Sequence, residues 1–180
     1  MNARPSSPFT FKLALAGAAA ATLIYAVRQR RRMDFAAKVV VITGASRGLG
    51  LELARQFAKE GAHVVLLARQ REQLAEVARE LESIGAQVTV LQCDVTKQDG
   101  VRAGMASLIR GLGRGDVLIT NAGIIQVGPA QHMNNDDFAE AMAVHFWAPL
   151  YLMRAVIPQM KRQGHGRIVN IASIGAKIAF

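Results

Sequence analysis

Cysteine is almost absent from this chain of 180 residues, since Cys93 is its single cysteine. One thiol cannot form a disulfide within the chain, so a hydrophobic core must stabilise the fold, and a reducing compartment suits the protein. Its hydrophobic content of 51% and charged content of 19% exclude a disordered chain. The length suits one domain with a sizeable core.

Acidic residues are absent before Asp34, although the whole chain carries a net charge of +9. Residues 1–38 contain seven basic residues against this one aspartate, so they hold +6 of the +9. The remainder is only mildly basic, and aromatic residues do not alternate with basic ones along any predicted strand. The charge therefore does not predict nucleic acid as a partner.

Charge is also absent from Leu13 to Val27, a run of fifteen residues. The apolar run lengthens to nineteen residues if it begins at Phe9 and the charged end of Lys12 reaches outward to water. Four arginines follow within five residues, at positions 28, 30, 31 and 32. A basic cluster after the apolar run predicts a single-pass membrane anchor over residues 1–32, with the body on the cytoplasmic side. Two alternatives remain open: a packed alanine-rich helix, or an organelle transit segment. Residues 33–37 are expected to be a short linker.

The most informative stretch is Val39 to Gly50, VVVITGASRGLG. An unbroken β-branched run followed by a helical pattern predicts a buried parallel strand, a turn and a helix. Of the three glycines, one permits the sharp turn, one lets backbone approach a ligand, and one lets the helix pack on the strand. The positive end of that helix would then bind a pyrophosphate.

Residues 38–180 alternate strands with helices, which predicts an α/β fold, a Rossmann-type doubly wound parallel sheet of about five strands. The strands are expected at residues 38–43, 63–68, 87–92, 116–120 and 167–171. The helices are expected at residues 49–60, 70–84 and 96–112, followed by one long helix over 136–163. Pro149 and Pro158 should each kink or interrupt that last helix.

Three motifs carry a family resemblance. The glycines are spaced G-x-x-x-G-x-G, the fourth strand leads into Thr120-Asn121-Ala122-Gly123, and the fifth strand reads GRIVNIAS up to Ser173. With this spacing and order, the chain resembles the short-chain dehydrogenase/reductase family. The resemblance implies an NAD(P)-dependent oxidoreductase that interconverts a carbonyl and an alcohol on a small molecule.

The resemblance also assigns site residues. Ser173 would hydrogen-bond the substrate oxygen, and His145 stands where the family normally has the asparagine of a proton relay. Since a lone histidine on an apolar helix is equally consistent with a core residue, its role stays open. The resemblance predicts no metal ligands. The implied cofactor-binding residues are Thr43, Gly44, Ser46, Arg47, Gly48, Leu49, Gly50, Arg69, Asp94, Val95, Asn121, Ala122 and Gly123.

The choice of cofactor depends on the end of the second strand, where a carboxylate would bind the adenosine ribose of NAD. Here the strand ends in Leu67-Ala68-Arg69 without a carboxylate. Arg47 and Arg69 could together bind a 2′-phosphate, which favours NADP. Asp94 would hold the adenine amino group, or would instead cap the helix that follows.

The family's general acid, the tyrosine of Tyr-x-x-x-Lys, is missing. Neither Tyr25 nor Tyr151 is followed four residues later by lysine. We therefore expect the chain to be the amino-terminal portion of a longer membrane-anchored enzyme that forms homo-oligomers. The alternative is a non-catalytic, membrane-tethered module that binds a dinucleotide or a partner.

Overall fold

The structure is a computed structural model and describes residues 17, 33–126 and 128–173. The chain divides into two compact units, Met1–Asp34 and Phe35–Phe180. The predicted anchor lies outside the described residues apart from Gly17. Within the described part, no helix is sufficiently long and apolar to span a membrane.

Five parallel strands form one sheet in the order β3-β2-β1-β4-β5. They are β1 (Val39–Thr43), β2 (His63–Ala68), β3 (Val88–Gln92), β4 (Val117–Thr120) and β5 (Arg167–Asn170). This arrangement confirms the predicted parallel α/β sheet. Each strand lies within one residue of its predicted limits, because continuous buried runs of Val, Ile and Leu define the central strands.

Helices connect the strands: α1 (Gly48–Lys59), α2 (Arg71–Ser83), α3 (Gln98–Leu112), α4 (Asn135–Met142) and α5 (Ala148–Arg162). A short 3₁₀ turn, Ala130–His132, precedes α4. The α3 helix begins two residues later than predicted, and the glycines at positions 100 and 104 do not interrupt it.

The predicted long helix is present as α4 and α5, joined by a π-helical segment, Ala143–Trp147. Pro149 accounts for the change of register, because it has no N–H to donate to the carbonyl of His145. Instead, the N–H of Ala148 bonds to the carbonyl of Ala143, five residues earlier. Pro158 is accommodated inside α5.

The main core cluster lies between the sheet and the helices α3 and α5. Its fully buried members include Val41 and Leu118 from the central strands, Met105 from α3, and Leu152 and Val156 from α5. These contacts fix the central strands, and thereby fix the positions of the loops that follow them.

Candidate functional site

The candidate site lies at the carboxyl edge of the sheet, where the loops after all five parallel strands meet. Each predicted site segment follows a strand: the glycine turn follows β1, Arg69 follows β2, Asp94 follows β3, Asn121 follows β4, and Ser173 follows β5. The topology therefore brings together at one edge residues that span 131 positions of sequence, from Thr43 to Ser173. His145 comes instead from the π segment between α4 and α5.

The glycines after β1 have distinct geometric roles. Gly44 and Gly48 both have positive φ, at +65° and +57°, a conformation that glycine adopts without strain. A Cβ at Gly48 would meet no described atom within 4 Å, so the backbone there is open to a ligand. At Gly50, by contrast, a Cβ would collide with the carbonyl oxygen of Gly44 and lie 2.6 Å from Nδ2 of Asn121.

The amino end of α1 points its first amides towards this open turn. Arg47 is the N-cap, and within the described chain its side chain makes no capping hydrogen bond. The first-turn N–H groups and the helix dipole are therefore suited to an anion. Ser46 is half-buried, while Arg47 and Leu49 are exposed beside the turn. These features fit the pyrophosphate of a dinucleotide.

Thr43 and Asn121 join the glycine turn to the loop after β4. The Thr43 hydroxyl accepts hydrogen bonds from the backbone N–H groups of Asn121 and Ala122, both at 2.9 Å. In return, Nδ2 of Asn121 donates to the carbonyl of Thr43 at 3.0 Å. Because the Thr43 side chain is buried and bonded in this way, it shapes the site rather than facing a ligand. The assignment of Thr43 to the cofactor-binding residues stays a prediction.

A second link between strands involves Thr120, the last residue of β4. Its hydroxyl donates to Oδ1 of Asn170 at 2.7 Å, joining the ends of β4 and β5. Ser173 follows three residues after Asn170 and is exposed. Sequence reasoning missed this pair because nothing in either segment indicates the register between β4 and β5.

Asp94 and Arg69 form the polar end of the site beyond β2 and β3. Oδ1 of Asp94 accepts from the N–H and hydroxyl of Thr96, at 3.0 and 2.8 Å. Burial opposes ionisation of Asp94, but these hydrogen bonds and the charge of Arg69 outweigh it and lower its pKa. Asp94 therefore stays ionised at neutral pH. The N-cap of α3 is Lys97, so Asp94 orders the preceding turn instead of capping that helix.

Two neighbours of Asp94 are buried. The side chains of Cys93 and Val95 belong to the core, so only the backbone of Val95 can face a ligand. Burial raises the pKa of the Cys93 thiol, with the nearby Asp94 charge acting in the same direction. A buried, protonated thiol is unreactive. No metal-binding group of three or more His, Cys, Asp or Glu side chains occurs in the described ranges.

His145 contacts the loop that follows β4. Its Nε2 lies 3.0 Å from the carbonyl oxygen of Ile124, so Nε2 must carry the proton and donate it. The ring also covers Gly123, where an added Cβ would lie 3.3 Å from Cε1. The histidine is exposed and contacts a site loop, so the alternative of a core residue is wrong. Its contact partner, Ile124, could not have been predicted from either sequence segment.

The comparison with protein families agrees with this geometry. The model of the family described as short chain dehydrogenase matches residues 38–180. Gluconate 5-dehydrogenase of Gluconobacter oxydans is 38% identical over 139 residues, which are 77% of this chain and 54% of that protein. This chain spans about half the length of the curated relatives that it matches.

Solved structures give the same result. A metagenomic short-chain oxidoreductase in complex with NADP has a TM-score of 0.78 at 36% identity, covering 82% of this chain and 67% of that one. NAD⁺-bound xylitol dehydrogenase has a TM-score of 0.76 at 35% identity, covering 81% of this chain and 56% of that one. The two similar structures thus contain different nicotinamide cofactors.

Proposed function

This chain belongs to the short-chain dehydrogenase family, and from that premise we propose that it is the cofactor-binding part of an NADP(H)-dependent oxidoreductase that interconverts a carbonyl and an alcohol. The observation that carries the proposal is the open backbone at Gly48, the first residue of α1, whose N-cap gives no side-chain capping bond within the described chain. The glycine turn is fixed to the neighbouring strand by Thr43 and Asn121. A preorganised anion site at a sheet edge is the main requirement for dinucleotide binding.

The proposed cofactor lies along this edge. The first amides of α1 would bind its pyrophosphate, and Asp94 with the backbone of Val95 would bind the adenine. Ala122 and Gly123 would let the backbone approach the second ribose. Arg47 and Arg69 are exposed at two neighbouring loops, and their guanidinium groups would together bind a 2′-phosphate.

The reaction proposed for the whole protein is hydride transfer, for which the nicotinamide supplies the hydride when bound. Ser173 would donate a hydrogen bond to the substrate oxygen, where negative charge develops. A general acid must then protonate the alkoxide. Tyr151 does not fit that role, since no lysine follows it four residues later; its ring stacks on Trp147 of the π segment at a centroid distance of 6.1 Å. The family's Tyr-x-x-x-Lys pair is not in this sequence, so turnover is proposed only for the whole protein.

Direct titration with NADPH and NADH tests the cofactor proposal. We expect NADPH to bind more tightly, and Arg47→Ala to weaken NADPH binding by about tenfold, since one charge-assisted hydrogen bond contributes at least ~1.4 kcal/mol. NADH binding should stay unchanged. Arg102→Ala on α3 is the matched control, because Arg102 pairs with Asp99 at the surface. Equal affinity for both cofactors would refute the proposed preference.

A non-catalytic dinucleotide-binding module is the second candidate. It is favoured by the histidine at position 145, where the resemblance implies an asparagine. The two candidates differ in one measurement on the natively expressed protein, which is NADPH oxidation in the presence of carbonyl compounds. Turnover that Ser173→Ala abolishes, with NADPH affinity unchanged, supports the enzyme. NADPH binding without turnover supports the module.

The location and substrate are further parts of the proposal. The uncharged run at residues 13–27 and the arginines after it support a single-pass anchor with the body at the cytoplasmic face. An enzyme held at a membrane surface has ready access to apolar, membrane-dissolved carbonyl compounds, which we propose as substrates. Homo-oligomers are proposed for the whole protein because the family resemblance implies them.

A further inference from the structure

We propose that Gln92 is a positioning residue for cofactor selection: its side-chain amide holds the backbone at Arg69 and thereby fixes where the Arg69 guanidinium meets the 2′-phosphate. This inference rests on the NADP(H) preference proposed above. Gln92 was not among the residues that the sequence motifs indicated.

The contact extends the sheet by one hydrogen bond beyond its last residue pair. Ala68 and Gln92 are that last pair between β2 and β3, and the N–H of Cys93 donates to the carbonyl of Ala68 at 2.9 Å. Arg69 is the first residue after β2. Nε2 of Gln92 donates to its carbonyl oxygen at 3.1 Å, so a side chain continues the ladder where the backbone ladder ends.

The segment held by Gln92 is short and has few other restraints. Arg69 and Gln70 are the two residues between β2 and α2, and Gln70, the N-cap of α2, gives no side-chain capping bond within the described chain. The backbone bond from Leu74 N–H to the carbonyl of Gln70 is 3.2 Å long. The Gln92 contact therefore restricts the backbone from which the Arg69 side chain extends.

The direction of Arg69 agrees with a role at the site. Its charge contributes to the lowered pKa of Asp94, the carboxylate that follows β3 at the carboxyl edge of the sheet. Arginine is long and flexible, so fixing its backbone reduces the conformational entropy lost when the guanidinium binds a phosphate. Gln92 should accordingly affect the binding of NADPH, which has the 2′-phosphate, and should not affect the binding of NADH.

Gln92 is also placed where its replacement should not disturb folding. The residue is exposed, and it lines an open surface depression with Arg71, Ala75 and Val90. Gln92→Met keeps the length of the side chain and removes the donor. The matched control is Gln56→Met, which removes an exposed side-chain hydrogen bond of 3.0 Å to Glu60 at the other end of α1.

The experiment titrates NADPH and NADH into the full 180-residue chain and into Gln92→Met, Arg69→Ala, the double variant and Gln56→Met. We expect Gln92→Met to raise the dissociation constant for NADPH by about two- to tenfold, the equivalent of one hydrogen bond. The NADH constant and the thermal midpoint should be unchanged. In the Arg69→Ala background, Gln92→Met should have no further effect, because the residue acts through Arg69.

Three other results would overturn the inference, and they can be distinguished from one another. If the unaltered chain prefers NADPH but Gln92→Met keeps that preference, only the role of Gln92 is wrong. If Gln92→Met weakens NADPH equally with and without Arg69, its effect is general and the positioning role is wrong. If the unaltered chain shows no preference for NADPH, the proposed cofactor preference fails first, and this inference fails with it.

Discussion

Asp116 shows how one residue can fix the edge of the sheet opposite the candidate site. Its fully buried carboxylate accepts hydrogen bonds from the N–H of Val39 at 2.8 Å, from two nitrogens of Arg114, and from Nε2 of His165 at 2.9 Å. Its backbone carbonyl accepts from the N–H of Arg167. One aspartate thereby joins the first residues of β1, β4 and β5.

This network predicts a pH dependence of stability. Burial opposes ionisation of Asp116, but the hydrogen bonds from Arg114, Val39 and His165 outweigh it and lower its pKa. Since the folded pKa is depressed, the stabilisation is fully present above about pH 5. It is lost as the pH falls through the unfolded value of about 3.9 towards the lower folded value.

Asp116→Asn should therefore lower the free energy of unfolding at pH 7 by about 1–3 kcal/mol, and the difference from the unaltered protein should shrink towards pH 3. Urea unfolding at several pH values measures both effects. Asp99→Asn is the control, since the Asp99–Arg102 pair is exposed and should contribute little. A difference that stays constant from pH 7 to pH 3 would contradict the assignment.

Gly50 provides a second prediction at the residue scale. A Cβ there would collide with the carbonyl oxygen of Gly44, and neither backbone can move without disturbing the turn. Gly50→Ala should destabilise the protein by about 1–3 kcal/mol and weaken NADPH binding. Gly100→Ala in α3, where the nearest atom is 3.8 Å away, should be neutral or stabilise by up to ~1 kcal/mol. Thermal unfolding measures the change in stability of both variants. Equal changes in Gly50→Ala and Gly100→Ala would refute the close-packing explanation.

At the scale of helices and strands, sequence reasoning worked where a local pattern determines the structure. The unbroken run before Gly44 could be assigned to a buried strand because apolar periodicity is local. The contacts from Gln92 to Arg69 and from Thr120 to Asn170 could not be predicted, since their partners are 23 and 50 residues apart. Such contacts depend on strand register, which becomes visible only in the folded sheet.

The contact between His145, in the π segment that joins α4 and α5, and the loop after β4 gives a further prediction. Because Nε2 of His145 donates to the Ile124 carbonyl, His145→Gln should keep the contact, as the glutamine amide reaches the same position. His145→Asn is shorter and should lose it. We expect NADPH binding to weaken by about two- to tenfold in His145→Asn, the equivalent of one hydrogen bond, and to stay near normal in His145→Gln. The reverse order would show that another atom of His145 is the important one.

Over the whole molecule, most of the net positive charge and the candidate site lie in different parts of the chain. The described candidate site lies entirely within the unit Phe35–Phe180, whereas the greater part of the net positive charge lies in residues 1–38. The basic amino-terminal segment is therefore not needed to explain cofactor binding. Its sequence is better explained by the membrane anchor that we propose.

A single charge in the uncharged run tests that anchor in the full chain. Ala20→Asp places a carboxylate at the centre of residues 13–27, which opposes membrane insertion by about 2.5–3.5 kcal/mol. Because the run is near the minimum length for a span, we expect this change to move the protein from the carbonate-resistant membrane fraction to the supernatant. Ser6→Asp, outside the run, should leave it in the membrane. If carbonate already extracts the unaltered protein, the proposed anchor is wrong. NADPH binding by the 35–180 unit should be the same in all three proteins.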